Sequence, residues 1–140
     1  MLDASGVNSH GDKDMRFMMM VKGNEKYEAG EPPPRELMEA VGKLEQESRR
    51  AGVVLQSGGL APSSKGAKIQ VSRGRITVID GPFAEAKELV GGYAIIEAGS
   101  REEAIEHGKR FMQVHVDVLG REYEGELEVR QLVDYGKERC

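Results

Sequence analysis

The most constraining feature of this sequence is a run of five consecutive apolar residues, Phe17 to Val21. A run this short, closed by a glycine, predicts a buried strand rather than a helix. Because side chains alternate along a strand, the odd-numbered residues would point to one face and Met18, Met20 and Lys22 to the other. Both faces are too apolar for water, so the sheet that contains this strand must be covered on both sides.

Two amphipathic helices are predicted to provide part of that cover. The first follows three prolines at 32–34 and ends before Gly52, with one stripe at helical spacing formed by Leu37, Met38, Val41, Leu44, Ser48 and Ala51. The second begins with a capping box, Ser100 and Glu103, and carries its apolar face on Ala104, Ile105, Gly108, Phe111 and Met112.

Further strands are predicted at residues 53–55, 67–72, 75–80, 91–97 and 126–133. The first of these continues into the segment 57–62, where glycines allow a positive φ or a close backbone approach. Arg73-Gly74 predicts a hairpin turn between the next two. Residues Asp80 to Phe83 then interrupt the strand.

The resulting order, strand, helix, strands, helix, strand, predicts an α+β fold: a ferredoxin-like split βαβ sandwich with an antiparallel sheet and both helices on one face. The other face most simply pairs with its copy across a two-fold axis, so we expect a homodimer. Residues 1–14 lack any periodicity, so we predict that they form a disordered leader. The predicted domain covers residues 15–134, and residues 135–140 form a polar tail.

Composition excludes several classes of function. With 20 Lys and Arg against 24 Asp and Glu, the net charge is −4, the wrong sign for nucleic-acid binding. No apolar run spans a bilayer and no signal-peptide pattern begins the chain, which predicts a cytoplasmic protein without membrane contact. The one cysteine, Cys140, rules out an internal disulfide and a cysteine-based zinc site.

Asp80 is the strongest candidate for chemistry. A carboxylate at a strand end beside a Gly-Pro turn is held rigidly and could act as a general acid or base. The alternative is that it accepts backbone hydrogen bonds in its own turn. Glu85, Lys87 and Glu88 follow, either as a charged lip over a pocket or as a solvated face.

Candidate ligand-binding residues accompany Asp80. Arg130 and Lys22 could hold an anionic group or form internal salt bridges. Met18 and Met20 could form a pocket wall or plain core. The remaining candidates are Ser57, Phe83, Lys87 and Tyr93.

Metal and nucleotide sites are not indicated. His115 and Asp117 would share one face if extended, and His107 lies on the second helix, but two ligands without a third do not make a zinc site. The Ser57-Gly58-Gly59 turn has neither nucleotide-binding signature. We therefore predict no cofactor.

The segment Asp80-Gly81-Pro82-Phe83, followed by Gly91-Gly92-Tyr93, resembles the DGPF signature of the YCII-related family, with further agreement at 51–53, 59–62 and 128–132. The resemblance implies a ferredoxin-like fold that dimerises into an α+β barrel, in bacterial proteins without an established general activity. One branch is suspected of catalysis through a His-Asp pair, and the early strands here contain no histidine to supply it.

Together these features predict a dimeric barrel that binds a small polar or anionic organic molecule between the sheet and the DGPF turn, with Asp80 as proton shuttle if it is an enzyme. The alternative is a non-catalytic module that senses a ligand or engages a protein partner. In that case Asp80 is only a turn residue.

Overall fold

The computed structural model describes residues 15–133, so the predicted leader and the polar tail lie outside the described residues. Six strands are present: β1 Met15–Lys22, β2 Val54–Gly59, β3 Ala67–Ser72, β4 Arg75–Asp80, β5 Val90–Ala98 and β6 Leu127–Gln131. Three helices accompany them: α1 Glu25–Glu28, α2 Arg35–Arg50 and α3 Arg101–Leu119. Short 3₁₀ turns occupy Ser63–Lys65 and Ala86–Glu88.

Four strands form one antiparallel sheet in the order β2-β5-β1-β6. The other two, β3 and β4, form a separate hairpin between β2 and β5. A split βαβ order with all neighbours antiparallel is compatible with the predicted ferredoxin-like fold. No helix among residues 15–133 is long and apolar enough to cross a membrane.

The core lies between the helices and the sheet face that carries Phe17 and Met19. Those two side chains are buried with Ile96, Ala98 and Ala104. Gly108 of α3 allows close approach there, because a Cβ at this position would lie 3.2 Å from Leu127. The predicted alternation of β1 is confirmed: its odd-numbered face is in the core.

Local signals explain where the long helices begin. Pro34 occupies the position before α2, and the hydroxyl of Ser100 accepts a 3.0 Å hydrogen bond from the backbone N–H of Glu103 at the start of α3. The Glu103 carboxylate in turn accepts from the N–H of Gly99 at 3.0 Å. Met38 differs from its predicted place in the buried stripe of α2, because its side chain is exposed.

The opposite face of the sheet has no helix over it within residues 15–133. Met18, Met20, Tyr93 and Ile95 lie on this face and are half-buried. We call this side of the sheet, to which the even-numbered residues of β1 and their paired residues on β5 and β6 point, the open sheet face.

Candidate functional site

A cavity of about 290 Å³ lies between the sheet and the two long helices. Its apolar walls come from β1, α2, α3 and β6, through Met19, Val41, Leu44, Phe111 and Leu127. Its volume is close to the lower end of the range typical of ligand sites, roughly 300 Å³, and about twice that of cavities that admit benzene. The core of this domain is therefore hollow on the side of β2.

Small residues on two neighbouring strands form the floor of this cavity. The register pairs Ser57 with Ala94 and Gly59 with Gly92. Gly59 and Gly92 have no side chain and Ala94 has only a methyl group, so the space above these three residues stays open. The glycines of segment 57–62 were predicted to allow a positive φ or a close backbone approach; Gly58 and Gly59 belong to β2, and neither has a positive φ. The physical reason for glycine here is small size.

Polar groups of α2 meet β2 at the rim. The Ser57 hydroxyl donates to the Glu45 carboxylate at 3.0 Å and accepts from the Arg49 guanidinium at 3.3 Å. Arg49 also pairs with Glu45 one turn away on the same helix. Each group in this triad has a partner, so the triad fixes α2 against β2 and places polar atoms beside the apolar walls.

His107 and Arg110 bring polar atoms of α3 to the same cavity. The Nε2 atom of His107 is buried and has no hydrogen-bond partner among the described residues. Its nearest acidic group is the Glu103 carboxylate, 3.7 Å away, which is an ion-pair distance only when the imidazole is protonated. A buried polar atom without a partner costs stability unless a ligand or water satisfies it. Sequence reasoning did not select this histidine as a binding residue, although it lies three residues after Ala104 and four before Phe111 on the predicted apolar face of α3.

Of the predicted ligand-binding residues, Ser57 and Tyr93 border the cavity, but the Tyr93 side chain is directed to the open sheet face, so only the Ser57 side chain points toward the helices. The Tyr93 hydroxyl also accepts a 3.3 Å hydrogen bond from the Gln56 amide. Gly58 lies beneath the tyrosine ring, because a Cβ there would lie 3.2 Å from a ring carbon.

Lys22, Met18, Met20 and Arg130 gather instead on the open sheet face. Lys22 lies 3.4 Å from the Glu128 carboxylate, and Arg130 lies 3.6 Å from it. Arg130, whose side chain is 71% exposed, therefore has a carboxylate neighbour on its own strand and does not pair with Asp80.

The residues of the DGPF segment lie at the base of the hairpin and do not line this cavity. Asp80 ends β4 with an exposed side chain, and its carboxylate makes no hydrogen bond within residues 15–133. Phe83 is held by its backbone N–H, which donates to the Ser63 hydroxyl at 2.9 Å, and by the Lys68 ammonium, 4.5 Å from its ring centre. Lys87 is exposed on a 3₁₀ turn.

Ser63 connects this segment to α1. Its hydroxyl donates to the Glu28 carboxylate, and its backbone N–H donates to the same carboxylate at 2.9 Å. Because the hydroxyl also accepts from Phe83, one serine joins α1, the turn before β3 and the turn after β4. This node sets the position of the hairpin on the domain.

His115 and Asp117 are helical, which corrects the extended geometry considered for them. α3 continues to Leu119, and the His115 ring lies between Phe111 and Tyr123, with centroid distances of 4.9 and 5.3 Å. Its Nδ1 lies 3.0 Å from the Phe111 carbonyl oxygen. Burial raises the pKa of the Tyr123 phenol. His115 therefore packs within the protein, and across residues 15–133 no cluster of three or more acidic, histidine or cysteine side chains could hold a metal ion.

The model of a family described as the YCII-related domain matches residues 15–118, which include β1 to β5 and almost all of α3. An uncharacterised protein of Rhizobium meliloti is 33% identical over 76 residues, which cover 54% of this chain. The match spans 56% of that relative's own length.

Proposed function

Because the chain belongs to the YCII-related domain family, we propose that it is a homodimer that binds a small organic acid in the cavity between its sheet and its long helices. The observation that carries this proposal is the cavity of about 290 Å³ left by the small residues of β2 and β5. The segment Asp80 to Phe83 supports assignment to the DGPF branch. A bacterial and cytoplasmic setting stays a prediction from that resemblance and from composition.

The lining suggests the chemistry of the ligand. Apolar walls favour a compact hydrocarbon body, of about one or two rings by comparison with cavities that admit benzene. Arg110 can pair with a carboxylate through its guanidinium, and the His107 nitrogen, which has no partner within residues 15–133, offers a hydrogen bond at the same cavity. The ligand class that fits both features is an aromatic or branched aliphatic carboxylic acid.

A thermal-shift screen tests ligand binding. We expect aromatic carboxylic acids to raise the melting temperature by several degrees, since a ligand at about 100 times its Kd adds roughly 2.7 kcal/mol to the free energy of unfolding. The matching primary amides serve as controls and should give smaller shifts, because they lack the charge. If acids, amides and hydrocarbons of this size all leave the melting temperature unchanged, the ligand proposal fails.

The open sheet face supports the dimer. Met18, Met20, Tyr93 and Ile95 form an apolar surface that no helix covers within the described chain. Pairing this surface with its copy across a two-fold axis would bury it and close the two sheets into an α+β barrel.

We expect Met20→Lys to convert the dimer into a monomer, because a lysine ammonium would have to be desolvated in the centre of the interface. The same change at Met38, whose side chain is 51% exposed on α2, is the matched control and should leave the dimer intact. Sedimentation equilibrium at micromolar concentration measures both. A wild-type monomer would contradict the dimer, and a dimeric Met20→Lys would contradict this interface.

Catalysis by Asp80 stays a prediction from the sequence, as does the alternative of non-catalytic sensing. We expect Asp80→Asn to change the free energy of unfolding by less than about 0.5 kcal/mol, because the carboxylate is exposed and makes no hydrogen bond within the described residues. Thermal unfolding checks this. A larger loss would support the role of Asp80 in its own turn, and lost turnover at unchanged stability would support proton transfer.

A further inference from the structure

The hairpin of β3 and β4 carries an apolar surface on one side only. Its register pairs Ile69 with Val78 and Val71 with Ile76, and directly paired residues lie on the same face. These four side chains are 62–72% exposed. The other face presents mostly polar pairs, such as Gln70 with Thr77 and Ser72 with Arg75. We call the apolar side, defined by its four aliphatic residues, the hairpin patch.

Nothing among residues 15–133 covers the hairpin patch. All twelve residues of the two strands are exposed. The hairpin is attached at its base, where the Gly81 N–H donates to the Gly66 carbonyl at 3.0 Å and Ser63 holds Phe83. A two-stranded sheet with one apolar face is marginal in water, so this pattern of residues is explained by a surface against which it packs.

We propose that the hairpin patch docks on a second copy of this chain, as an arm that extends the dimer interface of the open sheet face. The inference rests on the proposed dimer. The first support is the area that the interface would bury. The four aliphatic side chains of the hairpin patch expose roughly 300 Å² of apolar surface, the size of an ordinary surface patch, whereas a stable interface buries about 800 Å² on each partner. The hairpin patch and the open sheet face together approach this buried area, which neither surface supplies alone.

The second support is charge. Segment 63–80, which contains the hairpin, has four basic residues, Lys65, Lys68, Arg73 and Arg75, and one acidic residue, Asp80. The whole chain has a net charge of −4, so the remainder is acidic. A basic arm on an acidic body is complementary to a second copy of itself, which favours this occupant over a basic or a neutral partner.

Alternating positions of β3 allow a matched test. Ile69→Thr with Val71→Thr alters the hairpin patch, and Gln70→Thr with Ser72→Thr places two threonines on the polar face of the same strand. Threonine keeps the β-propensity in both variants. We expect the first variant to weaken dimerisation at least tenfold in sedimentation equilibrium and the second to leave the dimer Kd within twofold of wild type. Ile76→Thr with Val78→Thr, on β4, should repeat the first result independently.

The outcomes separate this proposal from the dimer itself. If wild type and the Ile69/Val71 variant dimerise equally while Met20→Lys is monomeric, the arm is wrong and the dimer stands. Equal weakening by the patch and polar-face variants would also overturn the arm, because the effect would then come from distortion of the hairpin. A monomeric wild type overturns both the arm and the dimer. Hairpin amides that are protected from exchange in that monomer would show that the hairpin patch is covered by its own chain.

Discussion

Replacing Ala94 by leucine is expected to weaken binding of a carboxylic-acid ligand at least tenfold without unfolding the protein. Ala94 lies on the cavity floor beside Ser57, and its side chain is directed toward the helices, on the face of β5 that also carries the buried Ile96. A leucine at this position would occupy the space that the ligand needs. A tenfold change in Kd corresponds to about 1.4 kcal/mol, less than the burial of two ligand methylenes contributes at about 0.8 kcal/mol each.

Stability and affinity should move independently in this variant. The three added carbons gain about 2.4 kcal/mol on burial, and strain from imperfect fit offsets this by about 1–3 kcal/mol, so we expect a net change within about 1.5 kcal/mol. Ala51→Leu, at an exposed residue after α2, is the matched control and should retain wild-type affinity. Isothermal titration with the best acid from the screen measures the Kd. Undiminished binding by a folded Ala94→Leu protein would place the ligand elsewhere.

Replacing Gly81 by alanine is expected to destabilise the protein by about 2–3 kcal/mol, the upper part of the range for overpacking. An added Cβ would overlap the backbone carbonyl of Ser63. Ser63 cannot readily move away, because its N–H and hydroxyl are both bound to Glu28 and its hydroxyl also holds Phe83.

Gly66→Ala is the matched control in the same turn. A Cβ at Gly66 would lie 3.6 Å from the Ser63 carbonyl oxygen, an ordinary contact, and its φ of −114° suits any residue. We expect a change below about 0.5 kcal/mol. Urea unfolding compares the two variants. Equal effects would show that the turn adjusts freely and that Ser63 does not fix the base of the hairpin.

Much of the fold follows from local signals in the sequence. The alternation of β1, the prolines before α2, the capping box of α3 and the turn at Arg73-Gly74 each act over a few residues, and each is found as predicted. Arg73 and Gly74 have φ values of 54° and 78°, both in the left-handed region that a tight hairpin turn requires. Such features depend on steric and hydrogen-bonding preferences that neighbours in the sequence already determine.

The site was less accessible from sequence. The recognisable motif lies at Asp80 and the turn after it. The cavity floor is instead built from Ser57, Gly59, Gly92 and Ala94, on two strands more than thirty residues apart. Paired small residues at alternating positions of two predicted strands were the available signal. It becomes readable only once the register is known, because a shift of one residue moves every side chain to the other face.

Local patterns in the sequence were enough to predict the six strands and both long helices, the apolar character of both faces of β1, and the YCII-related family. The packing of distant segments was needed to show that the floor of small residues lies beneath α2 and α3, that His107 reaches the cavity with a buried nitrogen unpartnered among residues 15–133, and that the apolar side of the hairpin is left exposed. This difference comes from the distance along the chain over which each kind of interaction acts. Propensity and capping act between near neighbours, whereas a cavity or an uncovered surface depends on how distant segments pack, and that packing is fixed by the fold as a whole.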